Sequence, residues 1–234
     1  PIQGDRIRET AEQFAGAPVL AVINTHYHAD HSHGNPGLPR EARFVATERT
    51  RRLMLEIDGK FWKDKDPAAI PSETFDHEHE LAIGGKTVRL LHPGPGHTGG
   101  DLVVLFVEDR VLHTGDLLFN GKYPNIDLEG GGSVAMWPAA LARTLELDFD
   151  HVIPGHGPLC DRQTIGRFSG FMAELGQAGA EAVAEGLDLE ETLARVELTR
   201  DDWLSPLGIP FVMKLDRDFV LTRAWQEAAR RTKE

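Results

Sequence analysis

The sequence has little cysteine, little basic charge and no long apolar run, and each shortage removes a class of protein. It holds a single cysteine, Cys160, so no internal disulfide can form and no thiolate cluster can hold an ion. Any metal site must therefore be built from histidine and carboxylate, of which the chain has 11 His and 37 Asp and Glu. Lys and Arg number only 25, and the formal net charge is −12. Nucleic acid demands a basic surface because affinity comes from neutralising phosphates, so no nucleic-acid partner is expected. The longest apolar runs, such as Leu102 to Val107, are far too short to span a bilayer, so no membrane partner is expected either. Bound divalent cations would offset part of the negative charge locally.

What is present suffices for one well-filled domain: 234 residues, 41% of them hydrophobic. The chain begins with Pro1 rather than Met, and no charged segment followed by an apolar one marks a signal peptide. A processed chain or a fragment is expected; compartment and oligomeric state stay open. Asp5 to Ala15 reads as an amphipathic helix with Ile7, Ala11 and Phe14 on one side. Val19 to Asn24 reads as a buried strand, and Thr25 to Pro39, rich in His, Gly, Asn and Pro, as a loop at its end. A strand over Arg43 to Ala46 and a helix over Glu48 to Ile57 follow, then an irregular stretch from Lys60 to Pro71. Short strands are expected at Leu81–Ile83, Thr87–His92, Leu102–Val107 and Val111–Thr114. Phe119 to Ser133 reads as a long loop, Trp137 to Leu147 as a helix and His151 to Ile153 as a strand. Residues 1–160 are read as a metal-binding domain, and 161–234 as a helical extension packed on it, with helices including Glu190 to Val196 and Val220 to Arg231.

The informative segment is Thr25-His26-Tyr27-His28-Ala29-Asp30-His31. Alternation along an extended backbone sends His26 and His28 the same way, so both imidazoles can meet one ion. Asp30 and His31 can serve a second ion beside the first. One loop cannot complete two coordination shells, and three more candidates end strand-like runs with glycine beside them. They are His97 in GHTGG, Asp116 in TGD and His156 in PGHG. His26, His28 and His97 could bind one metal, Asp30, His31 and His156 the other, and Asp116 could bridge them. Ligation by nitrogen and oxygen alone suits two divalent ions, zinc first, with iron or manganese also fitting.

The ordered set HxHxDH, GHTGGD, TGD and PGHG resembles the metallo-β-lactamase superfamily, with all seven positions of its dinuclear site filled between residues 26 and 156. The resemblance implies an α+β fold, a four-layer αββα sandwich with the metals at one edge of the sheets; periodicity alone gives α/β or α+β. Only one helix and one strand precede His26, so the sandwich is expected to lack its N-terminal strands. True β-lactamases of the family commonly carry Cys or Ser where this chain has Asp116, whereas a bridging Asp resembles glyoxalase II and the lactonases. A metal-dependent hydrolase of a small-molecule ester, thioester, lactone or amide is the implied activity. In it, two ions share a water, lower its pKa toward neutrality and generate the attacking hydroxide. Asp30 is the expected orienting and proton-shuttling residue, and the Tyr123 hydroxyl a candidate donor to the developing oxyanion. A mononuclear iron enzyme resembling persulfide dioxygenases, a phosphodiesterase or nuclease, and a non-catalytic metal binder remain as rivals.

The other histidines carry plainer readings. His77 and His79 read as a solvated surface pair, and His92, His113 and His151 as packing or supporting residues at strand ends. His33 could line the pocket, and Cys160 reads as a small buried residue.

Overall fold

The computed structural model describes residues 2–209 and 213–232; Pro1, 210–212 and 233–234 lie outside that description. Helix α1 (Ile2–Ala15) leads into strand β1 (Ala21–Ile23), the short helix α2 (Ala29–Ser32), β2 (Arg43–Thr47), α3 (Glu48–Glu56), α4 (Gly59–Trp62) and β3 (Glu73–Phe75). Five strands then follow, β4 (Glu78–Ile83), β5 (Lys86–Leu91), β6 (Val103–Phe106), β7 (Val111–Phe119) and, after helix α5 (Trp137–Leu145), β8 (His151–His156). The C-terminal part holds α6 (Arg162–Ala184), α7 (Leu189–Arg195), the hairpin β9 (Leu207–Ile209) and β10 (Met213–Leu215), and α8 (Arg217–Arg231).

Two sheets organise these elements: β1-β2-β3, parallel throughout, and β4-β5-β6-β7-β8, antiparallel except for the parallel β7–β8 pair. Three apolar cores fill the spaces between four layers. Val45 of the first sheet meets Leu81, Val88, Leu90, Leu102 and Val104 between the sheets. Leu53, Met54 and Trp62 fill the space under α3 and α4. The largest core joins the outer face of the second sheet to α5, α6 and α8 through Leu112, Trp137, Phe168, Phe171 and Leu221. The run Leu102 to Leu105 divides between them by alternation, Leu102 and Val104 facing the other sheet and Val103 and Leu105 the helices. In α6, Ile165, Phe168, Met172 and Leu175 recur at helical spacing on the buried side.

The α+β sandwich expected from the motifs is the fold observed. The differences are local. β7 runs on past Thr114 to Phe119, with its register against β8 broken at His113/Gly115 and Gly115/Phe119. The stretch read as irregular contains α4 and ends just before β3, because Phe75 and Ile70 cover apolar neighbours that no local pattern announces. The C-terminal part is not wholly helical, since β9 and β10 pair as a hairpin, Leu207 opposite Leu215. α1 forms, but Ile7 and Phe14 on its apolar side are exposed. Among the described residues, no helix is long and apolar enough to cross a membrane.

Candidate metal centre

The segment after β1 with α2, the turn before β6, the middle of β7 and the end of β8 deliver the seven sequence-selected side chains to one place. After Ile23 the chain bends through Thr25 to His28, His28 itself extended, and then enters α2, which carries Asp30 and His31. A pair of buried amides fixes this loop: Asn24 and Asn35 each donate to the other's side-chain oxygen, at 3.1 and 2.8 Å. Asn24 also donates to the His31 carbonyl at 3.0 Å, and Asn35 to the Ala69 carbonyl at 2.9 Å. Glycine is required at two of the approaches. A Cβ on Gly155 would lie 2.0 Å from Asp116 Oδ1, and Gly115 has φ +51° with Thr25 filling its side-chain space.

Three sets of ligand atoms cluster within 4.8 Å of one another: His26, His28 and His97; His26, His31 and Asp116; and Asp30, His31 and His156. Asp116 links them. Its Oδ2 lies 3.4 Å from His156 Nε2, 3.6 Å from His97 Nε2 and 3.9 Å from His26 Nε2, and its Oδ1 lies 3.1 Å from His31 Nε2. Asp30 Oδ2 is 3.4 Å from both His31 and His156 Nε2. A four-coordinate ion with bonds of about 2.0–2.1 Å sets its ligand atoms roughly 3.3–3.4 Å apart, the spacing of the His156–Asp116, His156–Asp30 and His31–Asp30 pairs.

Two further observations fit a cation. His26 Nε2 and Asp116 Oδ1 are buried without a well-oriented hydrogen-bond partner, which is costly for polar atoms unless something else satisfies them. The tautomers of His28 and His97 are also set from outside, by inference from their partners. His97 Nδ1 lies 2.8 Å from the Asn125 carbonyl, an acceptor only, so it carries the proton and Nε2 keeps its lone pair. His28 Nε2 lies 3.1 Å from the Asp127 carboxylate and donates to it, which leaves the Nδ1 lone pair facing inward. Those two inward nitrogens are 2.8 Å apart, a contact favourable only with a positive charge, proton or metal, between them.

The electrostatics divide the cluster by depth. Burial lowers His97 to a pKa of about 4 and holds His26 well below the usual histidine range, so both are neutral and ready to ligate at pH 7. His156, bonded to Asp116 and Asp30, is raised to about 10. Burial pulls His31 down, but the same two carboxylates outweigh it and raise it to about 9. Burial alone would raise Asp116, but the surrounding histidines hold it well below the ordinary carboxylate range. Asp30 is likewise held low by His156 and His31. Asp30 is the exposed member, its side chain 59% accessible, at the mouth of a cavity that His28, Asp116 and His156 also line.

The remaining candidates fall elsewhere. Tyr123 is not brought to the cluster: its hydroxyl donates to Asp201 at 2.7 Å and its ring packs toward Phe171, so the oxyanion role is corrected to a structural one. His33 does not line the cavity; it pairs with Asp58 and stacks on Phe61, their centroids 3.4 Å apart, which anchors α4. His77 is exposed, but His79 is not solvated as its partner is, since it bonds Glu73 at 2.6 Å and stacks on Phe75. His92 donates to the Asp101 carbonyl, and the His113 ring accepts from the Gly115 amide, both as supports of the strand ends. Cys160 is half-buried, with its backbone paired to Val152 and its thiol pushed up by burial. The role of Asp127 escaped the sequence. Its Oδ2 accepts from the Tyr27 hydroxyl at 2.5 Å as well as from His28, and its Oδ1 from the Gly130 amide at 2.9 Å. Burial would raise its pKa, but these donors outweigh it and leave it at about 2.

Comparison with known proteins agrees with the geometry. The chain is 25% identical over 203 residues to the 2,4-dinitroanisole O-demethylase subunit alpha of Nocardioides sp., covering 86% of this chain and 60% of that one. It is 26% identical over 166 residues to the metallo-beta-lactamase type 2 of Elizabethkingia meningoseptica, covering 69% and 63%. It thus spans less than two thirds of the length of either relative. Among solved structures, a metallo-beta-lactamase from Pontibacter korlensis superposes with a TM-score of 0.61 at 24% identity, over 72% of this chain and 75% of that one, a likeness of fold. The sequence profile of the metallo-beta-lactamase superfamily matches residues 2–156, a stretch that contains every side chain of the cluster, and the chain belongs to that superfamily.

Proposed function

We propose that this chain is a dinuclear metal-dependent hydrolase of small-molecule carbonyl compounds: esters, thioesters, lactones or amides. The superfamily consists mostly of metal-dependent hydrolases, and the carrying observation here is Asp116. Its carboxylate stands within 3.9 Å of His26, His97, His31 and His156, and so reaches both halves of the cluster. His26, His28 and His97 would hold one ion and Asp30, His31 and His156 the other, zinc suiting the donor set best and iron or manganese fitting it too. Bound there, two such ions lower the pKa of a shared water and polarise a carbonyl. Asp30 is ionised and exposed, placed to accept a proton from a nucleophilic water and to return it to the leaving group. His28 and His97 are held in the ligating tautomer by Asp127 and the Asn125 carbonyl.

The test begins with metal content per chain by plasma mass spectrometry. About two ions in the intact chain, and about one in His97→Ala and in His156→Ala, support the dinuclear reading. Turnover is then assayed on esters, thioesters and lactones, and the likeness to a 2,4-dinitroanisole O-demethylase subunit adds 2,4-dinitroanisole to the panel. One iron per chain with oxygen uptake on a persulfide would replace the hydrolase by an oxygenase. Cleavage of bis-p-nitrophenyl phosphate in preference to every carbonyl substrate would replace it by a phosphodiesterase. The net charge of −12 supports a small-molecule substrate over nucleic acid.

A further inference from the structure

The cavity over the cluster, about 250 Å³, is small, and its walls carry information about what enters. Away from the ligand atoms they are apolar: Ala29, Phe119, Leu207 and Leu215. Phe119 lies nearly parallel to the His156 ring, 15° between planes and 5.3 Å between centroids, so its face is fixed beside a ligating group. Asn125 adds the only uncharged polar side chain besides the histidines, and its amide makes no hydrogen bond among the described residues. No Lys or Arg is among the described residues of the wall. The cations nearest in sequence are engaged, Lys214 with Asp216 at 2.7 Å and Lys122 with the Ser205 hydroxyl at 3.0 Å.

We propose that the pocket selects an uncharged acyl substrate, its apolar group against Phe119, Leu207 and Leu215, and rejects one with a carboxylate remote from the scissile bond. The assignment rests on the hydrolase reading for its chemistry but on the wall for its selectivity. An apolar group entering the cavity leaves water for apolar neighbours. A carboxylate held against that apolar wall loses its hydration, with no guanidinium or ammonium among the wall's described residues to replace it. The Asn125 amide, with two donors and an acceptor free, suits a neutral carbonyl or ether oxygen without demanding charge.

The test uses the zinc-loaded full chain and a matched pair, p-nitrophenyl butyrate and the p-nitrophenyl monoester of succinic acid, which differ by a terminal methyl against a carboxylate. After subtraction of spontaneous hydrolysis, kcat/KM is expected to favour the butyrate by about tenfold or more. Leu207→Lys is expected to shift that ratio toward the succinate by about tenfold. Calorimetric binding of butyrohydroxamic acid against succinic monohydroxamic acid reads the same preference without turnover. Equal or tighter binding of the anionic hydroxamate overturns this proposal and leaves the hydrolase reading intact. A preserved binding preference with no ester, thioester, lactone or amide cleaved supports the pocket assignment and overturns the hydrolase reading instead.

Discussion

Replacing Asp127 by Asn tests whether the cluster is held in its ligating state from outside. Asp127 Oδ2 takes a hydrogen bond from His28 Nε2 at 3.1 Å and one from the Tyr27 hydroxyl at 2.5 Å, while Oδ1 takes the Gly130 amide. Asn can keep the Gly130 contact through its oxygen, which turns its NH₂ toward His28. Two donors then face each other, and His28 relieves the conflict by moving its proton to Nδ1, the nitrogen that should ligate. Loss of such an orienting partner typically costs 10–100-fold in metal affinity, about 1.4–2.7 kcal/mol. Tyr27→Phe removes a donor but leaves the carboxylate and the His28 tautomer, so its effect should stay within roughly threefold. The assay is zinc affinity by chelator competition on the metal-free proteins at pH 7.5, with circular dichroism to verify folding. A folded Asp127→Asn protein that binds zinc within twofold of the parent would refute the argument.

Other consequences follow from the same geometry. At pH 7.5 the metal-free chain should carry protons on His31 and His156, raised to about 9 and about 10, so zinc binding should release about two protons per chain, measured by calorimetry in buffers of different ionisation heat. Because both folded values lie above the ordinary 6.5, the stabilisation from these groups is full below pH 6.5 and is lost as pH rises through 9 to 10. Thermal melts of the metal-free chain should show that loss, and zinc-loaded melts should not. Gly155→Ala should destabilise the fold by about 1–3 kcal/mol in urea and lower bound metal, since its Cβ would sit 2.0 Å from Asp116 Oδ1. Trp137→Ala should cost about 3–5 kcal/mol by the same measurement, because the indole is fully buried and donates to the Leu117 carbonyl at 3.0 Å. An unchanged urea midpoint in either variant would contradict the packing described.

The sequence by itself determined the parts of this protein that are written locally. HxHxDH after an apolar strand places four candidate ligands within six residues, and the glycines beside His97, Asp116 and His156 mark where backbones must come close. A strand over Leu102 to Val107 and helical character after Asp161 were legible for the same reason, since such patterns are properties of a segment. Tertiary structure decided the rest. Asp127 reaches His28 across 99 residues, and the Asn125 carbonyl reaches His97 across 28, with no motif to link either pair. Tyr123 stood in a promising loop but turned to Asp201, 78 residues on, because a buried phenol takes whichever acceptor the fold brings to it. The walls of the cavity come from β7, from the start of α2 and from β9 and β10, and only their meeting in space makes the described wall apolar. Ligand identity is a matter of side-chain chemistry, which a sequence records directly; protonation, orientation and selectivity depend on which distant groups share a low-dielectric space, and only the folded chain supplies that.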